Sequence, residues 1–202
     1  MRHYFITTKH DQSDYFKFEE FFNGEKFIFN SCDDVFSKDS LDYGSLVLVK
    51  TIIKNSHLFT GSVMDMCCGY GTIGILINKF LNLHVDMCDI NELAIDLAKL
   101  NVKENGVDIN NIFVSDMWSA VEKKYDHIVS NPPIKSGKAK LLEFVDGTFP
   151  HLNNYGTLTI VIKKNLGAGS LKDYIKNIYG NCEVLERDKG YYILHATKND
   201  DK

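Results

Sequence analysis

Two short strings carry residues whose types and spacing could do chemistry. The first is Asp65-Met66-Cys67-Cys68-Gly69-Tyr70-Gly71-Thr72-Ile73-Gly74, which contains a literal G-x-G-x-x-G. Where such a string leaves a strand and opens a helix, its glycines permit a tight turn and let a ligand approach the main chain. The second is Asn131-Pro132-Pro133-Ile134, which holds two of the chain's three prolines. Proline fixes φ and lacks an N–H, so this backbone is rigid and its carbonyls are not tied into a helix. The Asn131 amide oxygen and the Pro132 carbonyl could each accept one N–H of an exocyclic amine. That grip would turn the nitrogen lone pair toward an electrophile. Such catalysis is alignment plus fixed dipoles, with no covalent enzyme intermediate. Asn-Pro is also an ordinary turn signal; its setting in a sheet that already carries a nucleotide loop favours the chemical reading.

About 20 residues beyond the glycines, Asp89 ends a second predicted strand, where an acid can accept from ribose hydroxyls. The plainer alternative is a helix-capping aspartate beside Asn91. The nucleotide could be NAD or S-adenosylmethionine, and charge separates them. NAD brings a pyrophosphate to the glycine loop, and Asp65 would oppose it. S-adenosylmethionine brings a sulfonium and an ammonium, which an acidic mouth suits. Asp116, after a third strand, could accept from an adenine amine, with Met117 or Trp118 packing nearby; the alternative is an exposed loop acid.

These residues need a sheet edge to bring them together. The periodicity predicts strands at 62–67, 83–89, 111–115, 127–130 and 157–162, then 182–186 and 191–197 joined around Lys189-Gly190. It predicts helices at 41–53, 72–80 and 139–152. A further helix follows Asn91 as N-cap and stops at Gly106, and another carries Leu171, Tyr174, Ile175 and Ile178. Strand–helix alternation implies a mostly parallel sheet with helices on both faces, and ligands outside its carboxyl edge.

The 202 residues are 44% hydrophobic and 25% charged, the balance of a globular domain. One domain is expected, with residues 1–55 as an N-terminal segment packed on it. Ten of the 24 aromatic residues fall in the first 36 positions, so that segment must bury rings. No stretch approaches 18 apolar residues, and Met1–Asp14 lacks an apolar leader, so no membrane contact and a cytoplasmic location are expected. Five cysteines, an odd number without a C-x-x-C pair, read as reduced and mostly buried. No metal is expected, because no His/Cys/Asp cluster has ligand spacing. The net charge of -4 excludes broad counterion-release binding of nucleic acid, so any RNA contact must be local. Lys135, Lys138 and Lys140, with Lys163 and Lys164, are the candidate cations, against the plain reading of solvated lysines.

D-x-x-C-G-Y-G, D-I-N and N-P-P-I-K-S-G-K, in this order, resemble the small-domain class I methyltransferases over nearly the whole chain. The resemblance is strongest to bacterial 16S ribosomal RNA guanine-N2 methyltransferases. Val35-Phe36-Ser37-Lys38 and Leu41-Asp42-Tyr43-Gly44-Ser45 resemble the family's segment lining the cofactor pocket. Lys163-Lys164-Asn165 and Lys189-Gly190-Tyr191 resemble its C-terminal signature. The resemblance implies a Rossmann-like α/β fold with a seven-stranded mixed sheet of order 3-2-1-4-5-7-6, the last strand antiparallel. It implies S-adenosylmethionine as cofactor, with Phe36, Ser37, Asp65, Cys67, Gly69, Gly71, Asp89, Ile90, Asp116, Met117 and Asn131 around it. It implies that Asn131, Pro132, Pro133 and Ile134 hold the target amine, and that ribosomal RNA or the small subunit is the partner. Two departures stand out. Cys67 replaces a common glycine, and Ile134 stands where many relatives carry an aromatic ring that stacks on the base; Phe36, Trp118 or Tyr155 are the rings left to do so. The longer relatives carry a second, RNA-binding domain, so an assembled subunit or a homodimer is expected to make up the affinity. The alternatives are methylation of a protein glutamine amide and a cofactor-binding assembly factor without catalysis.

Overall fold

The computed structural model describes residues 14–109 and 111–199. The expectation for Met1–Asp14 therefore falls outside the described residues except at Asp14, as does the side chain of Lys135. The first described elements are two strands, β1 (Phe16–Phe22) and β2 (Glu25–Ser31), paired antiparallel across Asn23-Gly24. Both turn residues have positive φ, 51° and 84°. That is the Asn-Gly hairpin turn whose twist matches the strands it joins. The periodicity predicts no strands here, although alternating aromatics flank the Asn-Gly pair on both sides.

The hairpin turns Phe22, Phe27 and Phe29 inward. It is fastened to the rest of the chain by two asparagines of α3 (Glu92–Glu104) and its cap. Asn101 accepts from the Asn30 N–H at 2.6 Å and Asn105 accepts from the Ile28 N–H at 3.0 Å. Buried backbone groups need such partners. This accounts for an aromatic-rich segment that is not a solvated tail.

Beyond it run α1 (Tyr43–Lys54), β3 (Ser62–Met66), α2 (Thr72–Leu81), β4 (His84–Asp89) and α3. Then follow β5 (Ile112–Val114), β6 (Tyr125–Ser130), α4 (Lys138–Thr148), β7 (Leu152–Lys163), α5 (Ala168–Tyr179), β8 (Glu183–Asp188) and β9 (Tyr191–Thr197). Seven strands form one sheet in the order β5-β4-β3-β6-β7-β9-β8. Counted from β3, that is 3-2-1-4-5-7-6, as expected. β9 runs antiparallel to β7, and β8 antiparallel to β9. The central strands read as apolar runs because helices cover both faces. Met64, Met66, Ile128 and Ile160 pack on one face, and Val63, Val129 and Val161 on the other. Each such fully buried side chain stabilises by roughly 1.5–3 kcal/mol.

The widest departures from prediction are at α4 and β7. The helix expected over 139–152 ends at Thr148, and Leu152 already begins β7, paired with Tyr125. Pro150 follows the helix end, where it cannot continue the hydrogen-bond ladder. The strand expected at 157–162 therefore starts five residues earlier, with an irregularity between Tyr125 and His127 of its neighbour.

Candidate active site

β3 ends at Met66, and the chain turns through Cys67, Gly69 and Gly71, with φ of 60°, 55° and 95°. Three left-handed residues in five make the sharp reversal that leads into α2. For a residue with a Cβ this region costs about 1–2 kcal/mol, so Cys67 holds local strain where glycine would hold none. A Cβ placed on Gly69 would meet nothing within 4 Å, so that face of the loop is open. A Cβ on Gly74 would lie 2.4 Å from the Met87 sulfur, so glycine there allows α2 to lie close on the sheet.

Asp89, at the end of β4, clamps this loop. One carboxylate oxygen accepts from the Gly69 N–H at 2.9 Å and the other from the Asn91 N–H at 3.0 Å. Burial pushes its pKa up, while the N–H groups of Asn91, Gly69 and Ile90 pull it back. Asn91 caps α3 by accepting from Leu93, so capping falls to Asn91 and leaves Asp89 to the loop. Ile90, beside it, is an exposed apolar residue.

Asp65 approaches from beneath. It is fully buried, and one oxygen accepts from the Gly74 N–H at 2.8 Å. The other oxygen has no hydrogen-bond partner among the described residues. Burial, with a smaller contribution from Asp89, raises its pKa to about 8 against the single Gly74 bond. An orphaned, buried acceptor costs free energy. A cation brought over the loop would relieve that cost, and a phosphate would add to it.

The second loop leaves the neighbouring strand. β3 and β6 are parallel partners, Asp65 opposite Val129, and the Ser130 hydroxyl donates to the Met66 carbonyl at 2.6 Å. The glycine turn and Asn131 thus start side by side at one carboxyl edge. The Asn131 Nδ2 donates to Asp42 Oδ2 at 2.8 Å and lies 3.0 Å from the Ser45 hydroxyl. Asp42 is also the N-cap of α1, accepting from the Ser45 N–H at 2.8 Å. With its nitrogen committed, the amide can only present its oxygen outward. Sequence reasoning quoted Asp42 and Ser45 but missed this role. The partners lie 89 and 86 residues apart, and no local pattern links them.

Pro133 has φ -75° and ψ 72°, and the Ile134 N–H donates to the Pro132 carbonyl at 2.8 Å. This is an inverse γ-turn. Pro132 therefore keeps one lone pair for a ligand, and the Pro133 carbonyl accepts from Ser136. The expectation that these carbonyls stay untied is corrected to that extent. Ile134 is half-buried at the turn.

The other expected residues divide. The Tyr70 hydroxyl donates to the Ser37 carbonyl at 3.0 Å, tying the 36–40 segment to the glycine loop and leaving Phe36 exposed beside it. Asp116 is exposed, and Met117 has φ 48° with its carbonyl held by the Ser115 hydroxyl at 2.7 Å. Two of the three rings proposed to stack on a base are corrected. Trp118 donates to the Phe144 carbonyl and lies 4.6 Å from the His151 ring, locked against α4. Tyr155 lies near the start of β7, at the opposite edge of the sheet from Asn131. Phe36 remains. Lys138 is exposed at the start of α4, while Lys140 is 3.2 Å from Glu143 and 3.9 Å from Asp116. Lys163 and Lys164 stand at the end of β7, next to the Asn131 loop. Among the described residues no His/Cys/Asp/Glu group could hold a metal ion, and no helix is long and apolar enough to cross a membrane.

A seven-stranded sheet of this order, with a glycine turn and an Asn-Pro-Pro turn on adjacent parallel strands, defines a Rossmann-like methyltransferase. The family model described as "Methyltransferase small domain" matches residues 26–195, and the chain belongs to that family. It is 35% identical over 175 residues to the uncharacterized protein YbxB of Bacillus subtilis, covering 85% of this chain and 86% of that one. It is 32% identical over 195 residues to ribosomal RNA small subunit methyltransferase C of Vibrio parahaemolyticus, covering 94% of this chain and 55% of that one. The chain thus spans about half the length of the rRNA methyltransferases it matches. Its fold superposes with a TM-score of 0.82 on the Thermus thermophilus 16S rRNA N2 G1207 methyltransferase solved with AdoMet and guanosine. That match has 21% identity and covers 92% of this chain and 51% of that one, a likeness of fold.

Proposed function

We propose that this protein transfers a methyl group from S-adenosylmethionine to an exocyclic amine, the N2 of a guanine in 16S ribosomal RNA. The observation that carries the reading is the fixed orientation of Asn131. Asp42 and Ser45 take its Nδ2, which leaves Oδ1 as the amide atom available to an amine on the strand next to the glycine turn.

The residues of the donor side fit the group. Asp65 offers an orphaned buried oxygen to a cation, Gly69 an open backbone face, Asp89 a carboxylate for ribose hydroxyls, and Ile90 and Met117 apolar contacts for a base. Phe36 and Ser37 close the other side, and Asp116 accepts from the adenine amine. Cys67 and Gly71 shape the turn. When bound, S-adenosylmethionine supplies an electrophilic methyl group. Asn131 Oδ1 and the free lone pair of Pro132 accept the two N–H groups of the amine and direct its nitrogen toward the glycine loop. Pro133 fixes the turn, and Ile134 packs on the base. Lys138, Lys163 and Lys164 supply local cations for the RNA. Each accepted hydrogen bond sharpens in the transition state, where positive charge grows on the nitrogen.

Small ribosomal subunits and naked rRNA from a strain lacking the gene provide the test. Label from S-adenosylmethionine should enter a single guanine at N2, located by mass mapping. Transfer only to protein would overturn the reading in favour of a glutamine amide.

A further inference from the structure

A basic cleft lies one strand beyond Asn131. It is lined by Lys163, Lys164 and Asn165 at the end of β7 and by Lys189, Gly190 and Tyr191 at the β8–β9 turn, and encloses about 540 Å³. Its two walls are pinned together. Lys163 pairs with Tyr191 in the ladder, and the Lys164 N–H donates to the Gly190 carbonyl at 2.8 Å. The cations therefore stand on a fixed backbone.

Their surroundings differ from those of many other lysines. Lys17, Lys26, Lys38, Lys54, Lys79, Lys123 and Lys140 each pair with a carboxylate. Lys163, Lys164 and Lys189 pair with none among the described residues. Lys163 lies over the Tyr191 ring at 5.0 Å and Lys189 over the Tyr43 ring at 4.8 Å. The nearby Asp188 carboxylate already accepts from the Tyr43 hydroxyl at 2.6 Å. Rings hold ammonium groups in place without neutralising them. In a chain of net charge -4, three ammonium groups beside the single Asp188 carboxylate make a local excess of positive charge.

The cleft also shares a wall with the amine grip. A Cβ on Gly44 would lie 2.7 Å from Tyr191 and 3.0 Å from the Asp42 carboxylate that orients Asn131. β6 and β7 are parallel neighbours, Ser130 opposite Ile160, so Lys163 lies as far past that pair as Pro133 does. A phosphate in the cleft can therefore belong to the same strand as a base at Asn131.

We propose that this cleft is a phosphodiester subsite, holding the RNA backbone next to the nucleotide whose amine reaches Asn131. The proposal rests on the RNA reading above and adds the place where the chain is held. It explains how an acidic protein engages a polyanion: repulsion elsewhere is tolerated because three cations act together at one point. Lys189 and Tyr191 belong to the subsite with Lys163 and Lys164.

The test is binding of a fluorescent single-stranded RNA of about 12 nucleotides, titrated by anisotropy at several salt concentrations. Lys163→Gln/Lys164→Gln/Lys189→Gln should bind roughly tenfold more weakly. Its salt slope should fall by about 0.7 for each phosphate it no longer neutralises. Donor binding by calorimetry should be unchanged. Lys99→Gln/Lys103→Gln/Lys124→Gln, with the same change in charge on exposed positions elsewhere, should lose less than about twofold. Lys164→Glu alone, on an exposed side chain, should weaken RNA in the same direction even if the triple variant fails to fold. Equal losses in the two triple variants, or no loss in the first, would overturn the subsite. So would tighter, equally lysine-dependent binding of a glutamate-rich peptide. Methyl transfer separates the two readings. Lysine-dependent RNA binding with no transfer to any RNA would leave the subsite and sink the function. Undiminished transfer by the lysine variant at low RNA concentration would do the reverse.

Discussion

The two halves of the sheet's carboxyl edge are built on opposite principles. On the β4–β3 side, Asp65 is buried and Asp89 half-buried, and both are bonded to backbone N–H groups and raised in pKa. On the β6–β7–β9 side stand an amide with its nitrogen committed, a proline turn and ammonium groups without a carboxylate partner among the described residues. The first half suits a small cation held the same way every time. The second suits a large anion that arrives from solution and must leave. On the proposed reading, the fixed carboxylates hold the cationic donor and the open cations stand where RNA is first met. Asn131 stands on the boundary, and its orientation is fixed from a third element, the start of α1.

The boundary should give the largest effect. If Asn131 is one of the two acceptors proposed for the amine, Asn131→Ala removes it while leaving the glycine loop and the lysines in place. Loss of one such preorganised group costs on the order of 10²–10³ in rate. The expected result is a fall of that size in kcat, with donor and RNA affinities held within about twofold. A fall confined to KM would make Asn131 a binding residue and erase the division between the halves.

The donor side comes next. Asp89→Ala leaves the Gly69 N–H without its acceptor and removes the acid at the end of β4. Hydrogen bonds to charged groups contribute about 1.5–3 kcal/mol each, so donor affinity measured by calorimetry should fall roughly 10- to 100-fold. RNA binding should not change. If RNA binding falls equally, the two halves are not separable.

Much of this was legible in the sequence. The glycine string, Asp89 and the Asn-Pro-Pro turn are local patterns whose meaning follows from strand–turn–helix context. The strand–helix alternation announced the parallel sheet, and the family resemblance its order. What escaped were relations between distant residues. Asp42 reads locally as a helix cap, which it is; only the fold reveals that the same carboxylate aims Asn131. Trp118 reads as a ring available to a ligand, yet Gly147 leaves the space that α4 gives it: a Cβ there would come within 1.9 Å of its indole nitrogen. The β1–β2 hairpin escaped for a different reason. Its Asn23-Gly24 signal is present, but the density of aromatics around it speaks of burial before it speaks of pairing.

Asp42 gives a smaller effect that sharpens the comparison. Asn caps helices as well as Asp, so Asp42→Asn should keep α1 and thermal stability. It weakens a charge-assisted bond to the Asn131 Nδ2, which should lower kcat by about tenfold. KM for RNA and donor affinity should stay within about twofold. An equal loss of stability would mean that the carboxylate serves α1 alone.

The smallest effect is a proton. Asp65 has its pKa raised to about 8, so its stabilising contribution is complete below the ordinary carboxylate value and is lost as pH rises through about 8. His195, held down to about 4 by burial, works the other way: its contribution is complete above 6.5 and lost as pH falls toward 4. Between pH 7 and 8 the histidine contribution to the slope fades and the slope belongs mainly to Asp65, at no more than about 1.4 kcal/mol per pH unit. Denaturant unfolding should therefore show stability declining across that range, and Asp65→Asn should flatten the decline. A cationic donor over the loop favours the ionised form. Binding near pH 7 should release up to one proton, so calorimetric heats should differ between phosphate and Tris buffers. RNA, meeting only the other half of the edge, should bind with the same heat in both. Equal donor heats in the two buffers would mean that Asp65 never meets the donor's charge, and that the buried acid serves α2 rather than the site.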